Sequence, residues 1–317
     1  MLNRCAIVAL LALGIICSSS GQPPVWAWGS LAHKKITSDA YHIMPKGFRT
    51  LLGETDKGKP ALRPLLEASI EPDTTLKDFQ NHVFHIHGYK MGNGPFKVEE
   101  LAKEIVADIQ KKTPRAQVAQ KLGWLAHYIA DLTQPLHTGV ATWEGIEEKA
   151  YHAACEKDAN DHVYEFGVYF DGAYPVERIS ARMVYEALWA NQYYAQLEEM
   201  YTNGKRWQDA RPILAKCYSR AVNNVVDIWY SIWLRAGGRA NTKIDGKPKY
   251  FPPYNPKKPS GAALPHRTIE DAEAAEATAG AAFVPAATGP APAPAVSPAA
   301  PAADAGEGEA SSASEPR

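Results

Sequence analysis

Between residues 118 and 137 the chain reads VAQKLGWLAHYIADLTQPLH, which sets His127 and Asp131 four residues apart and His137 six residues further on. On a helix, side chains at i and i+4 stand one above the other, so an imidazole and a carboxylate at that spacing can reach one ion. The same spacing recurs at His152 and Glu156 in YHAACEKD, and EPDTTLKDFQNHVFHIHG carries Asp73, His82, His85 and His87. His33 stands upstream in WGSLAH. A lone histidine is more often a packed or surface residue than a ligand, but repeated pairing with carboxylates points to a metal. Imidazole and carboxylate donors without thiolate suit catalytic zinc better than structural zinc. The cysteines beyond residue 27 are Cys155 and Cys217, and no CxxC pair exists, so a thiolate zinc knuckle is excluded. Those two cysteines form either one disulfide or two small buried residues.

These residues need helices to position them. Val118, Leu122, Leu125, Ile129 and Leu132 recur at spacings of three and four and make one apolar face. Trp124, His127 and Asp131 stack on the opposite face, and a tryptophan there predicts a helix buried all round. Ionisable groups in such a place must be paired or hold a metal. RISARMVYEALWANQYYAQLEEMY and ILAKCYSRAVNNVVDIWYSIWLRAGG repeat the periodicity, the second ending at a Gly-Gly stop. No convincing alternating strand appears, so the chain predicts an all-α, single multi-helix bundle over residues 28–238.

The ends read differently. Residues 1–27 combine Arg4, an apolar run from Ala6 to Cys17 and small residues before a cut after Ala27, the pattern of a secretory signal peptide. That run falls short of the roughly 20 residues that span a bilayer. The predicted mature chain therefore starts at Trp28 and is secreted or periplasmic. Residues 239–317 are basic and proline-rich, then Pro/Ala-rich, and predict a disordered tail. With 45% hydrophobic and 22% charged residues and a net charge of −1, the chain has a globular balance and no basic surplus that would mark an electrostatic nucleic-acid binder.

The stretches WGSLAH, PD…FQNHVFH, HYIADLTQPLH and HAACE together resemble the zinc-dependent phospholipase C and single-strand-specific nuclease superfamily. The resemblance implies three zinc ions. Asp73, His82, His127 and Asp131 would hold one. Trp28, through its α-amino group and carbonyl oxygen, would hold a second with His33 and a bridging Asp131. His137, His152 and Glu156 would hold the third. An α-amino group with a pKa near 8 gives up its proton readily to zinc, so removal of the leader would itself complete the site. The implied activity is hydrolysis of a phosphate ester by metal-activated water, with Asp73 the candidate to assist deprotonation.

Three readings of the substrate follow. Glu156, rather than an aspartate, with its HxxxE spacing, and Phe79, three residues before His82, resemble the phospholipase branch and predict cleavage of a phospholipid head group. Choline-specific members carry an acidic residue near the N-terminus and a tyrosine after the zinc-binding aspartate, whereas this chain has Leu31 and Thr74. The alternative is a nuclease or 3′-nucleotidase, in which Phe84 would be the aromatic on which a base stacks. The third is a non-catalytic binding protein stapled by the metal.

Overall fold

The computed structural model describes residues 28–54, 62–88, 91–141, 146–204, 207–240 and 248–254. Residues 1–27, the predicted signal peptide, and the chain beyond Tyr254 lie outside the described residues. Nine α-helices are described: α1 (Gly29–Ile43), α2 (Lys46–Leu51), α3 (Leu62–Ala68), α4 (Gly94–Gln110), α5 (Arg115–Leu132), α6 (Ile146–Asp161), α7 (Ile179–Asn191), α8 (Tyr194–Thr202) and α9 (Trp207–Arg235). The fold is helical, as the periodicity predicts. Among the described residues, no helix is long and apolar enough to cross a membrane.

Helix α5 lies at the centre and packs on α1, α3, α4, α7 and α9. Its last two turns, from Leu125 to Leu132, are buried on every side. The close approach of α3 depends on Gly123, where a Cβ would sit 2.6 Å from both the Ala68 side chain and the Leu65 carbonyl oxygen. A methyl group there would force the two helices apart, an overpacking cost of about 1–3 kcal/mol. Pro135 follows closely on the helix end and stops it. Helix α9 runs alongside, with Tyr218, Val222, Val225, Trp229 and Ile232 buried, and stops before Gly237, which adopts φ 92°.

Short strands are present: β1 (His87–Gly88) pairs in parallel with β2 (Val140–Ala141), and β3 (Val168–Phe170) pairs antiparallel with β4 (Lys249–Phe251). The second pair carries contacts past the end of α9, with Phe251 buried against the core and the Tyr250 ring 4.5 Å from that of Tyr169. A proline-rich composition conceals these two aromatics, which supply enough apolar area to hold the segment. Cys155 and Cys217 are free and buried, so of the two expectations the small-apolar one describes them.

Candidate metal centre

The histidines and carboxylates of the site come from several local devices. Asp73 sits in a widened turn, Pro72–Leu76, closed by a 2.7 Å bond from the Lys77 amide to the Pro72 carbonyl, and is buried there. Wide turns of this kind recur at functional sites because they re-aim a side chain. Lys77 then reverses the chain with φ 54°, and a tight turn at Phe79–Asn81 delivers His82. His127 and Asp131 are one turn apart on α5, and His137 ends a tight turn that begins at Pro135. His152 and Glu156 share one face of α6, with nitrogen and oxygen 3.2 Å apart. His33 comes from α1, whose first turn is anchored by Asn160, the acceptor for the Leu31 amide at 2.8 Å.

These side chains converge on one buried region. His82 Nδ1 lies 2.9 Å from Asp131 Oδ2, 3.1 Å from His127 Nε2 and 3.4 Å from Asp73 Oδ1. His127 Nε2 lies 3.1 Å from Asp131 Oδ2 and 3.5 Å from Asp73 Oδ1. Four ligand atoms at about 2.0–2.2 Å around a tetrahedral zinc stand roughly 3.3–3.6 Å from one another. The separations of 2.9–3.5 Å lie at or a little below that spacing, so an ion would need only a slight parting of the four side chains. Asp131 turns its other oxygen, Oδ1, to His33 Nε2 at 3.3 Å, so one carboxylate faces two groups. His137, His152 and Glu156 form a separate cluster whose ligand atoms lie within 4.8 Å of one another.

Several of these atoms are buried without an aligned hydrogen bond, among them both Asp131 oxygens, Asp73 Oδ2, both His33 nitrogens and His152 Nε2. The Asp131 oxygens, His33 Nε2 and His152 Nε2 stand at ion-pair distance from a neighbouring group of the opposite kind. Leaving so many polar atoms unsatisfied costs about 1–3 kcal/mol each unless something binds them. The opposite ring nitrogens are anchored instead. His127 Nδ1 donates to the Ser69 carbonyl at 2.8 Å and His137 Nδ1 to the His82 carbonyl at 3.0 Å, which leaves Nε2 of each as the lone-pair atom. The residues fit a zinc centre.

The electrostatics agree. Burial holds His33, His137 and His152 below the ordinary imidazole range, which keeps them neutral and able to donate. Burial works the same way on His127 and His82, but the carboxylates around them, Asp131 with Asp73 at His127 and Asp131 with Asp78 at His82, together outweigh it and raise both, so a metal must displace a proton there. Burial alone would push Asp131 up, yet the surrounding histidines, His127 foremost, hold it well below the carboxylate range.

Residues 32–210, more than half of the chain, match the family model for zinc dependent phospholipase C. The chain belongs to that family. Among solved structures, an alpha toxin from Clostridium absonum is similar, with 14% sequence identity, a TM-score of 0.50, and coverage of 75% of this chain and 81% of the toxin. A Clostridium perfringens alpha-toxin from an avian strain overlaps less closely, at 11% identity and a TM-score of 0.42 over 70% of this chain and 67% of that one. The first of these likenesses bears on the fold alone. No curated protein matches the chain.

The remaining candidate residues separate clearly. Trp28 is wholly buried, donates from Nε1 to the Ala130 carbonyl at 2.9 Å and sets its ring edge against Tyr218. His85 stays outside the four-residue group, with Nδ1 3.1 Å from the Gly139 carbonyl oxygen. Phe79 is 46% exposed, its ring 5.8 Å from that of His82. Phe84 is 6% exposed and belongs to the core, and its amide bonds to the His137 carbonyl at 3.1 Å. Asp78, which sequence reading passes over, contacts His82; an aspartate four residues before a histidine was the available signal.

Proposed function

We propose that the protein is an exported zinc-dependent phosphodiesterase with phospholipase C-like activity, holding three zinc ions in the groups described above. The observation that carries this reading is the shared carboxylate. Asp131 faces His82 and His127 with one oxygen and His33 with the other, which suits two neighbouring ions. The substrate class follows from family membership. It is supported by the exposed Phe79 beside the site, where an aromatic suits a head-group pocket, and by the absence of an open stacking residue at Phe84.

Zinc in these positions would supply Lewis acidity and lower the pKa of water from about 15.7 towards 7. The chain's own part is positioning and proton handling. The buried site excludes bulk water around Asp131 and His127. In the proposed hydrolysis the oxygen of water forms a bond to phosphorus while the bond from phosphorus to the glycerol oxygen breaks. Asp73 accepts one proton of the attacking water and passes it on to the leaving glycerol alkoxide, which departs as the alcohol. Asp73 suits that role because Oδ1 faces the histidine nitrogens while the buried Oδ2 has no hydrogen-bond partner. Asp73→Asn is then expected to lower kcat by about a hundredfold or more, in keeping with general acid–base contributions, while zinc content falls far less. Equal loss of zinc and turnover would reduce Asp73 to a ligand.

The reading also assigns a role to leader removal. Cleavage after Ala27 would free the Trp28 α-amino group, and the Trp28 indole is already anchored on the carbonyl next to Asp131. Protein beginning at Trp28 is expected to bind one zinc equivalent more than protein retaining residues 1–27. Equal zinc contents would remove Trp28 from the ligand set.

Phosphorus NMR of one tube tests the substrate. Zinc-loaded protein is mixed with phospholipid micelles and a single-stranded oligonucleotide. A new phosphomonoester signal at the expense of the lipid diester is the expected result, and its shift identifies the head group. Consumption of the oligonucleotide alone would replace the phospholipase reading with a nuclease, and no change in either would leave a zinc-stapled binding protein.

A further inference from the structure

His82 differs from His127 and His137 in the nitrogen it turns inward. Its Nδ1 faces Asp131, His127 and Asp73, and its Nε2 faces outward. Asp78 Oδ1 stands 3.3 Å from that outward nitrogen, on a residue one turn upstream. The second oxygen of Asp78 accepts hydrogen bonds from the Tyr128 hydroxyl and from Asn81 Nδ2, each at 2.7 Å. Tyr128 follows His127 on α5, is fully buried, and sets its ring edge to both His82 and His127 at 5.3 and 5.6 Å. The carboxylate is thus gripped on one oxygen and offers the other to one imidazole.

We propose that Asp78 is a positioning residue of the metal centre, keeping the proton of His82 on Nε2 so that the Nδ1 lone pair points at the ion. A free imidazole exchanges its proton between the two nitrogens, and only one tautomer can donate from Nδ1. A carboxylate, which accepts and never donates when ionised, selects that tautomer and makes the ligand more basic. Tyr128 and Asn81 hold Asp78 in place, so the chain of contacts runs from α5 through Asp78 to His82 and back to His127 on α5. The inference rests on reading His82 as a zinc ligand and does not depend on the substrate.

The replacement Asp78→Asn tests it. An asparagine that turns its oxygen to His82 must turn its amide to two donors, and one that turns its amide to His82 selects the wrong tautomer. Stepwise chelator competition on the zinc-loaded protein should then show one zinc equivalent held about 10–100-fold more weakly, with the others unchanged. Nitrogen-15 NMR of the same samples should show His82 protonated at Nε2 in the wild type and that signature lost in the variant. Tyr128→Phe removes one of the two groups holding Asp78 and should weaken the same equivalent by a smaller factor; it serves if the first variant does not fold. Unchanged zinc affinity and an unchanged His82 signature would overturn the proposal, as would equal weakening of every zinc equivalent. A wild type that binds no zinc would instead overturn the reading of His82 as a ligand.

Discussion

Asp131→Asn is expected to abolish turnover and to release more than one zinc equivalent. The carboxylate is wholly buried and lies within 3.3 Å of three histidines: His33 through Oδ1, and His82 and His127 through Oδ2. An asparagine keeps the volume but presents one oxygen where two are used, and puts an amide donor against an imidazole lone pair. Outer partners of a metal site are worth about 10–100-fold in affinity or activity, and a shared ligand should exceed that range. Removing one partner of a buried charge cluster also costs about 3–5 kcal/mol. The measurement is zinc content by mass spectrometry beside kcat/KM. Loss of a single equivalent with most activity retained would show that Asp131 serves one ion only.

Stripping the zinc should lower thermal stability by on the order of 10 °C at pH 7, and the difference should widen as pH rises. An ion present at a thousandfold above its Kd stabilises by about 4 kcal/mol, and each kcal/mol moves Tm by about 2–4 °C in a domain of this size. The pH trend has two parts. In the metal-free protein His127 and His82 are raised by the carboxylates around them, so their contribution is full below the unfolded imidazole value of about 6.5 and is lost as pH rises through the folded values. His33, His137 and His152 are lowered by burial, so their neutral packing contributes above that unfolded value and is lost as pH falls below it. Zinc requires every ligand imidazole to be neutral and so binds more tightly at higher pH. Calorimetric scans between pH 5 and 8, with and without chelator, check both the gap and its slope. A constant gap, or one that narrows with pH, would contradict imidazole ligation.

Much of this arrangement is legible because helical spacing carries it. His127 and Asp131, and likewise His152 and Glu156, are brought together by a single turn of helix, which the sequence states directly. Asp73 and His82 are less direct, since a widened turn and a left-handed Lys77 lie between them. The burial of Phe84 is less legible still. Its backbone bonds to the His137 turn, a contact across 53 residues that no local pattern announces. Asp78 escapes notice because its value lies in Tyr128 and Asn81, which fix its orientation only once α5 is packed. Lys249–Phe251 escapes because composition averages two useful aromatics into a proline-rich neighbourhood.

The most direct test is a crystal of the zinc-loaded protein measured at the zinc absorption edge. The account predicts one anomalous peak enclosed by Asp73, His82, His127 and Asp131, a second beside His33 on the other oxygen of Asp131, and a third among His137, His152 and Glu156. A map without peaks at these positions, with the same side chains hydrogen-bonded to one another, would contradict it.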